Sequence, residues 1–301
     1  MRQAPGLAAL LLPALLLMTG CRGHRAPDTP EDSALAQATA SGRQSLEFGR
    51  PKQAIDQYQK AYTLALARDD AQTIGDVGFN LAVAQLADDD VAGSLRTARR
   101  TRDALAARAT AAPAELDLVQ AAALHRLGRD READWLAAQA QATASNPATV
   151  ARASYVRGLI ADKRGDTAGL EAALAWFDRL RAPHPSWEAD RDELAARLDL
   201  RQGQYGKAAA SARRAADAYR SQLDYHAMAE ALALAAKATQ RAGSPQDAAN
   251  LYLRAGESAA ARGDAASAKS WLAEATGPGV SPSTRHAAQG MLATLRETPS
   301  D

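Results

Sequence analysis

The most constraining feature of this sequence is a pattern of small and apolar residues that recurs at a nearly constant spacing. Six turn residues lie 40, 39, 37, 38 and 40 positions apart: Gly49, Asp89, Gly128, Gly165, Gly203 and Gly243. A small residue lies seven positions before each turn: Gly42, Ala82, Ala121, Gly158, Ala196 and Ala236. Small or apolar residues follow at five, nine and twelve positions, as Ala54, Tyr58 and Ala61 follow Gly49. A fixed period of this length indicates an array of stacked units.

Each unit has the pattern of a helical hairpin. The small residue before the turn allows a second helix to approach closely, and a turn glycine can adopt the positive φ that ends the first helix. The positions that follow the turn share one side of the second helix, where they face the first. Aromatic residues make up only 5% of the chain and alanine is abundant, so the composition also favours helices over strands. We therefore predict an all-α fold.

Parts of the pattern resemble the tetratricopeptide repeat (TPR) across residues 35–276. The segments that carry the resemblance are Phe48-Gly-Arg-Pro-Lys-Gln-Ala54, Gln202-Gly-Gln-Tyr-Gly-Lys-Ala208 and Phe79-Asn-Leu-Ala82. The resemblance implies a right-handed α-solenoid, which we place at residues 33–276 with about six to seven helical hairpins. Gly256 and Gly263 restart the pattern within the sixth unit. We assign residues 277–301 to a C-terminal capping helix, near Pro282 to Arg296, and a disordered tail, because the last unit of a solenoid exposes an apolar end.

The first 32 residues have the pattern of an export signal and a tether. Arg2 precedes an apolar run from Leu7 to Met18, which is too short to span a bilayer. The ending Met18-Thr-Gly-Cys21 resembles the lipobox of bacterial lipoproteins. The resemblance implies a lipoprotein signal peptide at residues 1–20, acylation of Cys21, and a flexible tether over residues 21–32. The alternative is an ordinary secreted protein that is cleaved nearby.

The residue after Cys21 and the balance of charges indicate where the chain is located and which classes of partner it does not bind. Arg22, not Asp, follows the cysteine, so the resemblance implies the bacterial outer membrane, with the chain anchored on the periplasmic side. Without Arg2 the chain has 35 basic and 35 acidic residues, because only one of the 36 cations lies in residues 1–20. This balance argues against nucleic acid and against broad electrostatic binding to lipid. We expect the membrane to be held through acyl chains on Cys21.

No residue pattern indicates catalysis. The phosphate-binding and nucleophile motifs are absent, and the five histidines lie far apart without metal-ligand spacing. We interpret Asp190, Asp192 and Glu193 as the acidic first turn of a helix. We therefore predict no catalytic residue, no metal site, no cofactor and no enzymatic activity.

Candidate binding residues follow from the resemblance, in which first helices line a concave groove. The predicted register directs six residues into it: Asn80, His125, Arg152, Tyr155, Arg197 and Lys237. The carboxylate clamp of the family is not recognisable, since Glu115 and Val119 occupy places where basic residues would be needed.

The tryptophans suggest a second binding surface. Trp176 and Trp187 flank a proline-rich junction, which is either a partner hot spot or loop packing that supports the irregular fourth unit. We expect Trp135 and Trp271 in the core.

These observations favour a non-enzymatic, lipid-anchored scaffold that binds envelope proteins through the groove, in assembly or recruitment of an envelope complex. One alternative is an enzyme or accessory subunit acting on cell-wall glycan or peptide, which clustered acids on adjacent first helices would favour. Another is a periplasmic glycan-binding or small-ligand-binding protein, which stacked aromatic residues in the groove would favour.

Overall fold

The computed structural model describes residues 32–179 and 185–297, and every regular element in these ranges is an α-helix. The predicted signal peptide, Cys21, nearly all of the tether and the predicted C-terminal tail lie outside the described residues. The helices are α1 Ser33–Glu47, α2 Pro51–Ala67, α3 Ala71–Ala87, α4 Val91–Ala106, α5 Ala114–Arg126, α6 Asp130–Thr143, α7 Pro147–Arg164, α8 Thr167–Arg179, α9 Pro185–Arg201, α10 Tyr205–Ser221, α11 Tyr225–Arg241, α12 Pro245–Ala261, α13 Ala265–Glu274 and α14 Pro282–Glu297.

The predicted turn residues end the first helix of each unit, as the sequence pattern indicates. All six have a positive φ: Gly49 66°, Asp89 61°, Gly128 74°, Gly165 76°, Gly203 74° and Gly243 88°. At five of the six turns, the residue after the turn donates its backbone N–H to a carbonyl five positions earlier, for example Arg50 to Ser45 at 2.9 Å. This bond satisfies a carbonyl that the end of a helix leaves free.

The predicted contact positions on the second helices form the core. Seventeen of the eighteen residues at five, nine and twelve positions after the turns are buried, and Leu174 is half-buried. Small residues before the turns allow the close approach: a Cβ added at Gly42 would lie 2.8 Å from the Tyr58 ring. The all-α helical repeat fold is therefore confirmed.

The helices form two layers. Each first helix packs against its own second helix and also against the first helix of the next unit, as α3 does with α4 and α5. The order changes at the C-terminal end, where α12 contacts both α13 and α14, and a Cβ at Gly256 would lie 2.6 Å from Leu272. There α12 is the second helix of the sixth hairpin and the first helix of the next, as the Gly256 and Gly263 pair predicts.

Polar contacts attach the capping helix α14. Gln246 on α12 accepts a hydrogen bond from the Ser281 backbone N–H at 2.6 Å and donates one to the Thr284 hydroxyl at 3.1 Å. Apolar contacts complete the end, because Met291, Leu292 and Leu295 of α14 pack against the core cluster that extends from α9 to α14.

Leu223, in the connection between α10 and α11, is strained by its backbone conformation. Its φ is 62° and its side chain is 61% exposed, so little packing offsets the cost of this φ for a residue with a Cβ. We expect Leu223→Gly to raise the free energy of unfolding by about 0.5–1 kcal/mol, measured by urea denaturation. Leu127→Gly is the control, because Leu127 is also exposed but has a φ of −77°. Loss of stability in both variants would contradict this explanation.

Candidate protein-binding groove

One side of each first helix is not covered by a second helix. On five first helices, three residues spaced three and four positions apart lie on this side. We call it the inner stripe. Its members are Asp76, Phe79 and Val83 on α3; Glu115, Leu118 and Ala122 on α5; Arg152, Tyr155 and Leu159 on α7; Asp190, Glu193 and Arg197 on α9; and Glu230, Ala233 and Lys237 on α11. Equivalent residues of α7 and α9 meet: the Arg152 guanidinium lies 3.1 Å from Asp190, and the Tyr155 hydroxyl lies 2.8 Å from Glu193.

A charged cluster occupies the inner stripe where α7 and α9 meet. It consists of Arg152, Tyr155, Asp190, Glu193 and Arg197 with Tyr219 of α10. Arg197 donates from two nitrogens to one Glu193 oxygen, at 3.0 and 2.6 Å. The other Glu193 oxygen lies 2.8 Å from the Tyr155 hydroxyl and 3.0 Å from the Tyr219 hydroxyl. Both carboxylates are 1% exposed, so their bonds to neighbours replace those to water.

Asp162 extends this cluster along α7. It accepts from Arg197 at 3.0 Å and from Arg201 at 2.6 Å, so one carboxylate holds two guanidinium groups of α9.

Burial also changes the acidity of the cluster. It raises the pKa of Asp190 to about 6, although Arg152 opposes the shift, and it raises the pKa of the Tyr219 hydroxyl, which therefore stays a donor.

The interpretation of Asp190, Asp192 and Glu193 as an acidic first turn is wrong. Helix α9 begins at Pro185, so these residues lie beyond its first turn. Asp190 and Glu193 belong to the charged cluster, while Asp192 pairs with Arg214 of α10 at 2.9 Å. The signal for the cluster lies in the repeat itself, since Asp190 and Glu193 occupy the same register positions as Arg152 and Tyr155 one unit earlier.

Acids of two adjacent first helices, Asp162 on α7 and Asp190 and Glu193 on α9, do cluster, which is the feature expected of an enzyme acting on cell-wall glycan or peptide. Catalysis of that kind requires carboxyl groups that reach the substrate. Asp190 and Glu193 are closed off, because arginine and tyrosine side chains engage Asp190 Oδ1 and both Glu193 oxygens, and almost no surface of either residue is exposed. The cluster therefore joins the fourth and fifth units without offering an accessible acid pair.

The remaining predicted groove residues are dispersed. Asn80 is half-buried beside Phe79, and Lys237 is exposed on α11. His125 lies at the end of α5, where a ring nitrogen is 2.9 Å from Asp130. Of the six predicted residues, the structure brings together only Arg152, Tyr155 and Arg197.

The tryptophans occupy three different environments. Trp187 packs against the core of the fourth unit, whereas Trp176 lines a cleft of about 90 Å³ between α6, α7 and α8 and lies under the Arg179 guanidinium at 4.9 Å. The expectation that Trp135 is in the core is wrong, since its side chain is 60% exposed. Trp135 does not occupy any of the three core positions that follow Gly128, whereas Trp271 is half-buried against the core as expected.

Metal binding and membrane crossing each require a recognisable local feature. In residues 32–179 and 185–297, no three histidine, cysteine or acidic side chains are grouped as a metal site would require. Over the same ranges, no helix combines the length and apolar character that crossing a membrane requires.

Comparisons with known proteins identify the fold of this chain but do not assign it to a family. No protein family and no curated protein matches the sequence. Among solved structures, the Rap protein complexed with competence and sporulation factor is similar, with a TM-score of 0.56 and 15% identity over 87% of this chain and 77% of that one. A signal transduction ATPase with a tetratricopeptide repeat sensor, from Pyrococcus horikoshii, has a TM-score of 0.53 and 13% identity over 86% of this chain. This chain spans 42% of that ATPase. The chain therefore has a TPR-like helical repeat fold.

Proposed function

We propose that this protein is a non-enzymatic scaffold of the bacterial envelope that binds a segment of another envelope protein along the inner stripe. The observation that carries the proposal is the stripe itself, which presents half-buried apolar side chains on α3, α5 and α7 and exposed charged side chains on α3, α7 and α11. A surface of this kind suits an extended or helical segment that lies across several helices. The Rap protein, which has a similar fold, is complexed with competence and sporulation factor in its crystal structure, and this supports a binding role.

The anchor is the second part of the proposal. Cys21 at the end of the apolar leader would carry the acyl chains, on the outer membrane and facing the periplasm. Each buried methylene contributes about 0.8 kcal/mol to membrane binding, so several acyl chains hold a protein durably. The scaffold then needs no membrane-binding surface of its own, because the acyl chains on Cys21 would hold it at the membrane where the complex forms.

Site-specific photo-crosslinking in intact cells tests this function. A crosslinking side chain at Leu118, on the inner stripe, is expected to form an adduct with a discrete envelope protein in the membrane fraction. The matched control is Gln139, an exposed residue on the second helix of the same hairpin. In a Cys21→Ser background the protein is expected to leave the membrane fraction. No adduct at Leu118 in any growth condition, or equal adducts at Gln139, would contradict groove binding, and membrane retention of Cys21→Ser would contradict the anchor.

A further inference from the structure

The inner stripe differs in charge between its two halves. On α7 and α9 the charges neutralise one another, since Arg152 pairs with Asp190 and Arg197 pairs with Glu193. On α3 and α5 the stripe has two acids and no cation. Within the described ranges no hydrogen bond or ion pair engages the Asp76 carboxylate, and Glu115 accepts only from the Thr149 hydroxyl, at 2.8 Å.

Apolar side chains lie beside these two acids. Phe79 and Leu118 follow Asp76 and Glu115 by three positions on their helices, and both are half-buried. Each packs against the core on one side and keeps part of its surface in solvent on the other. The section formed by α3 and α5 thus pairs an apolar floor with an acidic edge. We call it the acidic section.

The surroundings leave the acidic edge unneutralised. On α1 the equivalent position holds Ala36, and Arg43 lies two helical turns further along. On the other side, Arg152 is engaged by Asp190. The packing around Asp76, and then the nearby Asp70 and Glu115, raise the pKa of the Asp76 carboxyl. The neighbouring charges that act on this group are therefore acids, and a cation placed here would be stabilised.

We infer, on the basis of the function proposed above, that the acidic section binds a partner segment with two basic side chains that flank apolar ones. Adjacent packed helices lie about 8–10 Å apart, which sets the separation of equivalent edge positions. An extended polyproline II segment rises about 3.1 Å per residue, so basic residues three positions apart match this spacing and point the same way. The apolar residues between them contact Phe79 and Leu118.

Peptide binding to the full-length protein, purified in detergent, tests the inference. The probe is a fluorescent peptide with lysines at its first and fourth positions and leucine and proline between them, and the matched peptide has glutamates in place of lysines. The paired substitutions Asp76→Asn and Glu115→Gln are expected to weaken binding of the lysine peptide about tenfold, measured by fluorescence anisotropy. Leu118→Ala should also weaken it several-fold. Asp217→Asn, an exposed acid on α10, should leave it unchanged.

Three results would overturn the inference. The first is lysine-peptide binding within twofold of the unmodified protein in the Asp76→Asn, Glu115→Gln variant, with its helical circular dichroism intact. The second is equal affinity for the glutamate peptide. The third concerns Arg22 and Arg25, which have the same three-residue spacing in the chain itself. If replacing both with serine tightens peptide binding tenfold, the chain's own segment is the occupant. Adducts at Leu118 that persist in any of these cases would leave the scaffold function standing.

Discussion

Replacing Glu193 with alanine is expected to lower the free energy of unfolding by about 3–5 kcal/mol, a larger loss than most single substitutions cause. Glu193 is 1% exposed and its two oxygens hold Arg197, Tyr155 and Tyr219. Its removal leaves a guanidinium that is only 24% exposed without its closest partner, and two hydroxyl groups that lose an acceptor. Arg197 keeps a bond to Asp162 and Tyr219 keeps one to Asp190, but little water reaches the cluster to replace the bonds to Glu193.

Urea denaturation followed by circular dichroism measures this effect. Asp217→Ala is the matched control, because Asp217 also pairs with an arginine, Arg220, but both side chains are more than half exposed. We expect a change of less than about 0.5 kcal/mol there. Adding Arg197→Met to Glu193→Ala should recover part of the loss, since the half-buried charge that has lost its closest partner is then removed as well. A loss below about 1 kcal/mol for Glu193→Ala would mean that the charged cluster does not join the units.

Replacing Gly78 with alanine is expected to cost about 2 kcal/mol, although alanine is the better helix former. A Cβ at this position would lie 2.2 Å from the Thr101 hydroxyl oxygen and 2.5 Å from its methyl carbon. Thr101 is fully buried, and its hydroxyl bonds to the Thr97 carbonyl at 2.9 Å and to the Tyr62 hydroxyl at 3.2 Å, so it has no room to move. Overpacking of about 3 kcal/mol then outweighs the gain in helix propensity of about 1 kcal/mol.

The same substitution at Gly290 is the control, and there we expect the free energy of unfolding to change in the opposite direction. Gly290 lies within α14, and a Cβ there would meet nothing within 4 Å. Gly290→Ala is therefore expected to raise the free energy of unfolding by about 0.5–1 kcal/mol in the same urea titration. If both variants gain stability, helices α3 and α4 do not approach as closely as the structure places them.

The repeat was predictable because its signals are local. A residue at which the chain must adopt a positive φ favours glycine or aspartate, and the contact positions of a second helix follow from the helical period alone. Gly49 and Asp89 illustrate the first signal, and Ala54, Tyr58 and Ala61 the second. The same register predicts that Trp135 is exposed, since it lies outside the contact positions. Its apolar side chain favoured a place in the core instead, and that expectation is wrong.

The candidate groove was predictable only in part, because helical period gives the direction of a side chain and not what covers it. Asp190 and Glu193 occupy the solvent-facing register of α9, yet Arg152, Arg197, Tyr155 and Tyr219 bury them. Asp76 and Glu115 occupy the same register three and two units earlier, where no such partners converge.

By itself, then, the sequence determined the helices, their turns and the order in which they stack, since each depends on residues within one hairpin. Only the tertiary structure decided which charges of the inner stripe are neutralised within the protein and which stay open to a partner. That choice depends on contacts between residues one whole unit apart, and such contacts form only when neighbouring hairpins have packed.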